Sequence, residues 1–220
     1  MILGITISLI VATLLLFILI LSLYSRHLAN RDIRLLNCIA KKYAGKISVN
    51  SFNSSTTIDF PYHGSKIKFF QRKGLSNKTT RLCLCCDVDF SNSLSMHIAK
   101  TSMADKSISE HKHFMFVPIV VVGSDRFSQE FKVRANNQSF ITALLSDHFQ
   151  KQILSMAPSD PILYLHTSNE PLSRIKGVKD TAHSLELSIN QPLKRKEDIE
   201  AFLESGLSLV RPLLGSNGLE

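Results

Sequence analysis

The spacing of apolar residues changes abruptly along this chain. From Met1 to Tyr24 they are nearly continuous, interrupted only by small or uncharged residues such as Thr6, Ser8, Thr13 and Ser22. At about 1.5 Å per residue, a helix over that run reaches roughly 36 Å, enough for a ~30 Å hydrocarbon layer. A helix also satisfies its own backbone groups in lipid. The pattern therefore predicts an N-terminal transmembrane helix over 1–24 and a soluble α+β domain over 25–220. A cleaved leader fits less well. No Lys or Arg precedes Arg26, and Leu21-Ser22-Leu23-Tyr24-Ser25 is a poor cleavage site.

Beyond the run the period becomes helical and then alternating. Ile33, Leu36, Ala40 and Tyr43 share one side of a helix expected over Asp32–Ala44, ended by Gly45. Thr56–Phe60 and Lys66–Phe70 read as a hairpin around Pro61–Gly64. Arg81–Phe90 alternates, with Leu82, Leu84, Cys86 and Val88 on one face and Cys83, Cys85, Asp87 and Asp89 on the other. Leu94–Ile98 reads as its returning partner. The Ser-rich stretch 100–112 reads as a long loop or internal boundary. Phe114–Val122 reads as a buried strand, with Pro118 marking an edge or a bulge. Asn136 or Asn137 caps a helix, a second runs over Ser146–Met156, and Phe131–Val133, Ile162–His166, Leu172–Val178 and Ser184–Ile189 are strands. A long amphipathic helix over Lys194–Leu214 closes the series, with Glu197, Asp198 and Glu200 in its first turns as the helix dipole favours. Meandering strands with helices at the ends indicate antiparallel pairing.

Charge adds a direction. Residues 25–82 hold twelve Lys and Arg against two acids, whereas 83–220 hold fourteen against sixteen, so the net +8 lies wholly next to the apolar run. Arg26, Arg31, Arg34, Lys41 and Lys42 then read as contacts to anionic lipid head groups at a membrane surface. Basic residues after a span place the C-terminal domain in the cytoplasm and the N-terminus outside, as in a signal-anchored, single-pass protein of a bacterial inner membrane. Four cysteines (Cys38, Cys83, Cys85, Cys86) are too few for a disulfide scaffold and fit a reducing compartment. No nucleic-acid motif accompanies the basic charge.

Candidate chemistry is sparse. Cys83-Leu84-Cys85-Cys86 lacks a second pair to complete four metal ligands, and reads as small apolar residues in a strand. His111-Lys112-His113 is an unspecific pair beside Glu110, and His63, His97, His148, His166 and His183 have no partner at a defensible spacing. Asp87 and Asp89 read as the wet face of a strand, and Lys194-Arg195-Lys196 as a solvated helix start. Glycine-rich phosphate loops, nucleophile elbows and zinc-protease motifs are absent from the sequence. No catalytic, cofactor-binding or metal residue and no cofactor is assigned, which argues against an enzyme. Asn53, Asn77 and Asn137 head N-x-[ST] triplets that matter only in a luminal domain. Gly4, Ser8 and Ala12, four residues apart, supply a face on which two helices could pair as a homodimer.

The short helix ending in Lys41-Lys42-Tyr43-Ala44-Gly45-Lys46, and the segment Ser124–Arg134 with Phe127, Phe131 and Val133, resemble single-span bacterial membrane proteins of unassigned activity. That resemblance implies an α+β domain at a membrane and no specific function. The sequence thus points to a membrane-anchored, non-enzymatic module that binds an unknown protein partner or acts at the inner membrane surface. The alternatives are a membrane-tethered enzyme on lipid or envelope precursors, and an envelope assembly factor of opposite topology.

Overall fold

Helix α1 (Ile2–Lys42) sets the frame. It runs 41 residues without a break, about 60 Å. The computed structural model describes residues 2–50, 55–73, 80–88, 94–110, 112–167, 183–191 and 195–214. Among the described residues of α1, its C-terminal turns meet the rest of the chain, through Leu36, Ile39 and Ala40. The helix closes where Gly45 N–H donates to the Ala40 carbonyl at 2.7 Å, with Ala44 in the left-handed region at φ 52°. A side chain at Gly45 would strike Ile58 and the Asp59 carbonyl.

The transmembrane expectation is corrected at this point. Among the described residues, no helix is long and apolar enough to cross a membrane. Helix α1 continues past Arg31, Asp32, Arg34, Lys41 and Lys42. The transmembrane segment over 1–24, the single-pass and signal-anchor assignments, and the inner-membrane placement with a cytoplasmic C-terminal domain are therefore not supported. Leu14–Leu21, Leu23 and Tyr24 are all exposed.

The α+β expectation stands, built on one antiparallel sheet. Its strands are β1 (Lys46–Asn50), β2 (Ser55–Tyr62), β3 (Ser65–Lys73), β4 (Thr80–Val88), β5 (Ser95–Lys100), β6 (Ile119–Val120), β7 (Phe131–Ala135), β8 (Ile162–Thr167) and β9 (His183–Ile189). Their order across the sheet is β1-β2-β3-β4-β9-β8-β5-β7-β6. β2 and β3 turn through His63 and Gly64, both at positive φ (47° and 81°), as a two-residue hairpin that suits strand twist requires. Pro61 is thus inside β2 rather than in the turn. β4 alternates as the sequence indicates, with Leu82, Leu84, Cys86 and Val88 buried in the main core. Its second neighbour, however, is β9, whereas β5 lies between β8 and β7. The strand expected over Leu172–Val178 lies outside the described residues.

The main core fills one face of the sheet. The end of α1, α3 (Asp125–Glu130), α4 (Gln138–Leu144), α5 (Asp147–Ser155) and α6 (Lys196–Leu214) cover it. α6 lies over β4 and β9 at Gly206, where an added Cβ would sit 3.1 Å from Leu187 Cδ2. Asn137 and Ser146 cap α4 and α5 by accepting from Phe140 and Phe149 N–H. The stretch 100–112 carries α2 (Ala104–Glu110), buried at Ala104, Ser107 and Ile108. Together with a 3-10 turn over Lys112–Phe116, α2 covers Ala99, Ile162 and Tyr164 on the opposite face, around Phe114.

Candidate functional site

Strand alternation sends Arg72, Cys83, Cys85, Tyr164 and Glu186 to the face away from the main core. There they form a polar cluster. Arg72 Nη2 lies 2.7 Å from Glu186 Oε1. That contact is off the N–H direction, since Oε1 has no aligned donor, so the pair is an ion contact there. Arg72 Nη1 donates to Glu186 Oε2 at 3.4 Å and to the Tyr164 hydroxyl at 3.2 Å, and the Cys85 thiol donates to Oε2 at 3.4 Å. Burial works against the Arg72 charge, but Glu186 together with Tyr164 and Cys83 outweighs it, so the guanidinium pKa is raised. Burial, reinforced by the Glu186 charge, pushes the Cys83, Cys85 and Tyr164 pKa values up. Burial pushes the Cys86 thiol up to about 12.

A nucleophilic or metal-binding cysteine needs its thiolate, and burial disfavours that form at Cys83, Cys85 and Cys86. Among the described residues, no group of three His, Cys, Asp or Glu is placed to hold a metal ion. All four cysteines are unpaired thiols, and only Cys38 is fully exposed. The cluster is a hydrogen-bonded tie between β3, β4, β9 and β8. Arg81, almost wholly buried, is a second tie. Its guanidinium donates to Ser188 Oγ (3.2 Å), the Ser188 carbonyl (3.0 Å) and the Asp160 carbonyl (2.7 Å).

One serine–histidine contact invites a catalytic reading. Ser107 Oγ on α2 lies 2.8 Å from His97 Nε2 on β5, and both residues are buried. The Ser107 hydroxyl also donates to the Ala104 carbonyl at 2.8 Å. That carbonyl competes with His97 Nε2 for the single hydroxyl proton, and the tautomer of His97 sets the direction of the contact. The Phe114 ring, 5.4 Å from the imidazole, closes the site.

Other candidates scatter. His63 and His148 are exposed and far apart in the fold. His111, Asp89, Asn53, Asn77 and Lys194 lie outside the described residues, as do the side chains of Glu110, Lys112, His113, His166 and His183. Asp87 is exposed. Asn137 serves as the α4 cap. Arg195 pairs with Asp198 at 2.6 Å and Lys196 with Glu200 at 3.6 Å, which anchors the start of α6. Among the basic residues of α1, Arg31, Arg34 and Lys41 are exposed, and Arg31 lies 3.4 Å from Asp32. Lys42 reaches Glu200 and Glu204 of α6 at 3.3 and 3.2 Å, and the Glu204 hydrogen bond raises its pKa. The Arg26 side chain lies outside the described residues.

The feature that strand periodicity missed lies at the open edge of the sheet. Phe114–Val122 does not form a buried strand. Among the described residues, only Ile119–Val120 pairs, with β7, and β6 is the outermost strand. Pro118 marks this edge, as its missing N–H predicts. Met115 is 58% exposed, Phe116 90%, Ile119 53% and Val121 83%. The Ala135 N–H donates to the Pro118 carbonyl, which makes Pro118–Ala135 and Val120–Val133 the hydrogen-bonded pairs of the ladder. Ile119 is in the alternate position, so its N–H and C=O point outward. No charged residue occurs from Phe114 to Ser124. An open cleft of about 230 Å³ adjoins this edge, lined by Ile119–Val122, Phe131, Val133 and the polar Thr101, Ser128, Gln129 and Lys132. The opposite edge differs, because β1 carries exposed Lys46 and Ser48.

Known proteins add little to this geometry. No family model and no curated protein matches the chain. Among solved structures, the mycobacterial trehalose monomycolate transport factor A, TtfA, is similar over 86% of this chain and 97% of that chain. The TM-score is 0.43 and the identity 8%. A likeness of that size carries no functional argument.

Proposed function

We propose that the chain is a non-enzymatic binding module, and that its working surface is the open β6 edge. The ligand is an extended, apolar segment of a protein, added antiparallel to β6. The carrying observation is the bare side chains of Met115, Phe116, Ile119 and Val121 beside outward-facing backbone groups. Sheet edges that stay unpaired are blunted with Lys, charge or a covering element, and long apolar side chains are kept off them. β1 follows that rule with Lys46, whereas β6, short and preceded by Pro118, still leaves Ile119 and Val121 bare. Strand addition takes affinity from main-chain hydrogen bonds and specificity from pockets for alternate side chains, which the adjoining cleft offers. Burial disfavours the thiolate form of Cys83 and Cys85, which weighs against a cysteine nucleophile.

A photo-crosslinking residue at Phe116 of the full chain, in the cells that make it, tests this reading. A discrete protein adduct is expected, lost when Ile119→Lys is added. No adduct, or one indifferent to that substitution, refutes it.

A further inference from the structure

The β6 edge has a specific occupant that the geometry itself selects. Resting on the binding-edge reading, we infer that it is a second copy of this chain, joined β6 to β6 about a twofold axis through Val120. On the outer side of β6 the hydrogen-bonding residue is Ile119, and continuing the strand by one residue past Val120 brings Val121 to the same side. Turning a second copy about Val120 sets Ile119 of one opposite Val121 of the other. Each such pair exchanges two N–H to C=O bonds, and both pairs form together because the contact is isologous. Cross-strand neighbours are then Ile against Val, with no like charges opposed, because the run from Phe114 to Ser124 carries none. The two nine-stranded sheets become one continuous sheet.

The area is also of the right order. At about 150–200 Å² per fully exposed large side chain, the bare fractions of Met115, Phe116, Ile119 and Val121 amount to roughly 500 Å² per copy. Two copies cover about 1,000 Å², where specific interfaces begin. Gly123, at φ +89°, turns the chain into α3 two residues after Val121. There Ser124 N–H and Oγ–H both donate to Gln150 Oε1, at 2.8 and 2.9 Å, and fix the end of the edge before pairing.

The test is a cysteine placed on the axis. Val120 faces its own copy at a non-hydrogen-bonded position, where Cα atoms lie about 4.5 Å apart, within disulfide reach. The full-length chain with Cys38→Ser and Val120→Cys is oxidised with copper phenanthroline at micromolar concentration and run on a non-reducing gel. A covalent dimer is expected, with its yield falling at least tenfold when Val121→Lys is added. That lysine enters an 83% exposed position, so the variant keeps its fold, which circular dichroism verifies. No covalent dimer, or a yield untouched by Val121→Lys, overturns the inference. If Phe116 still crosslinks a discrete protein of another mass, the self-pairing fails alone. If Phe116 crosslinks nothing, the binding-edge reading fails with it.

Discussion

Removing Arg72 alone should cost far more than removing both partners of the Arg72–Glu186 contact. Glu186 is 8% exposed and Arg72 28% exposed at the side chain, so the two losses are unequal. Arg72→Met strands a nearly buried carboxylate that still accepts from the Cys85 thiol. Breaking a buried pair from one side costs about 3–5 kcal/mol. The partial exposure of the arginine places this variant near the lower end, about 3 kcal/mol. Glu186→Leu leaves an arginine that can swing its head group into water while its stem still packs, a cost of about 1 kcal/mol. The double variant Arg72→Met/Glu186→Leu removes both desolvation costs and should lie within about 1 kcal/mol of the parent. At roughly 2–4 °C per kcal/mol for a chain of this size, Arg72→Met lowers the melting temperature by about 6–12 °C. Calorimetry and urea titration of the four proteins close the cycle. Additive losses in the double variant, or a harmless Arg72→Met, would sink the view that this pair matters through buried charge.

Two further expectations follow from the thiols. With iodoacetamide at pH 8, Cys38 should be modified quickly, and Cys83, Cys85 and Cys86 only on unfolding, as counted by mass spectrometry. Rapid labelling of Cys85 would contradict its tie to Glu186. Stability should also fall at alkaline pH. The folded Cys86 pKa of about 12 lies above the model-compound value of 9.0, so the thiol's contribution is complete below pH 9 and is lost as pH rises toward 12. The slope is about 1.4 kcal/mol per pH unit for one such group. Cys86→Val should flatten the fall in urea midpoint between pH 9 and 11 relative to the parent, and an unchanged profile would refute the assignment.

Much of the sheet was legible in the pattern of the chain. β2, β3, β4, β7, β8 and β9 all have the alternation or apolar density of half-buried strands, and Asn137 and Ser146 announced their helices by residue type. Partnership was not legible, because nothing local in β4 says that Leu84 faces Leu187 about a hundred residues away. The stretch 100–112 hid α2 because its buried surface is small, formed by Ala104, Ser107 and Ile108. The apolar run Phe114–Val122 misled for a different reason. Hydrophobicity alone registers burial of any kind, and a surface awaiting a partner looks the same as core. The absence of polar alternation at Ile119 and Val121, beside Pro118, was the available signal. The polar cluster was invisible because Arg72, Glu186 and Tyr164 are distant in sequence, and only the register brings them together.

The strand order also sets a timetable for biogenesis. β1 to β4 pair with sequence neighbours and can form as soon as they emerge from the ribosome. β4 must then wait for β9, which begins at His183. At about 5–20 residues per second, synthesis of the intervening chain takes roughly 5–20 s. Throughout that interval the inner edge of β4, with Leu82, Leu84 and Cys86 still lacking α6, is open to any strand nearby. The nascent chain is therefore most vulnerable to mispairing at its centre, and a chaperone that shields β4 would help it more than one acting on the finished protein.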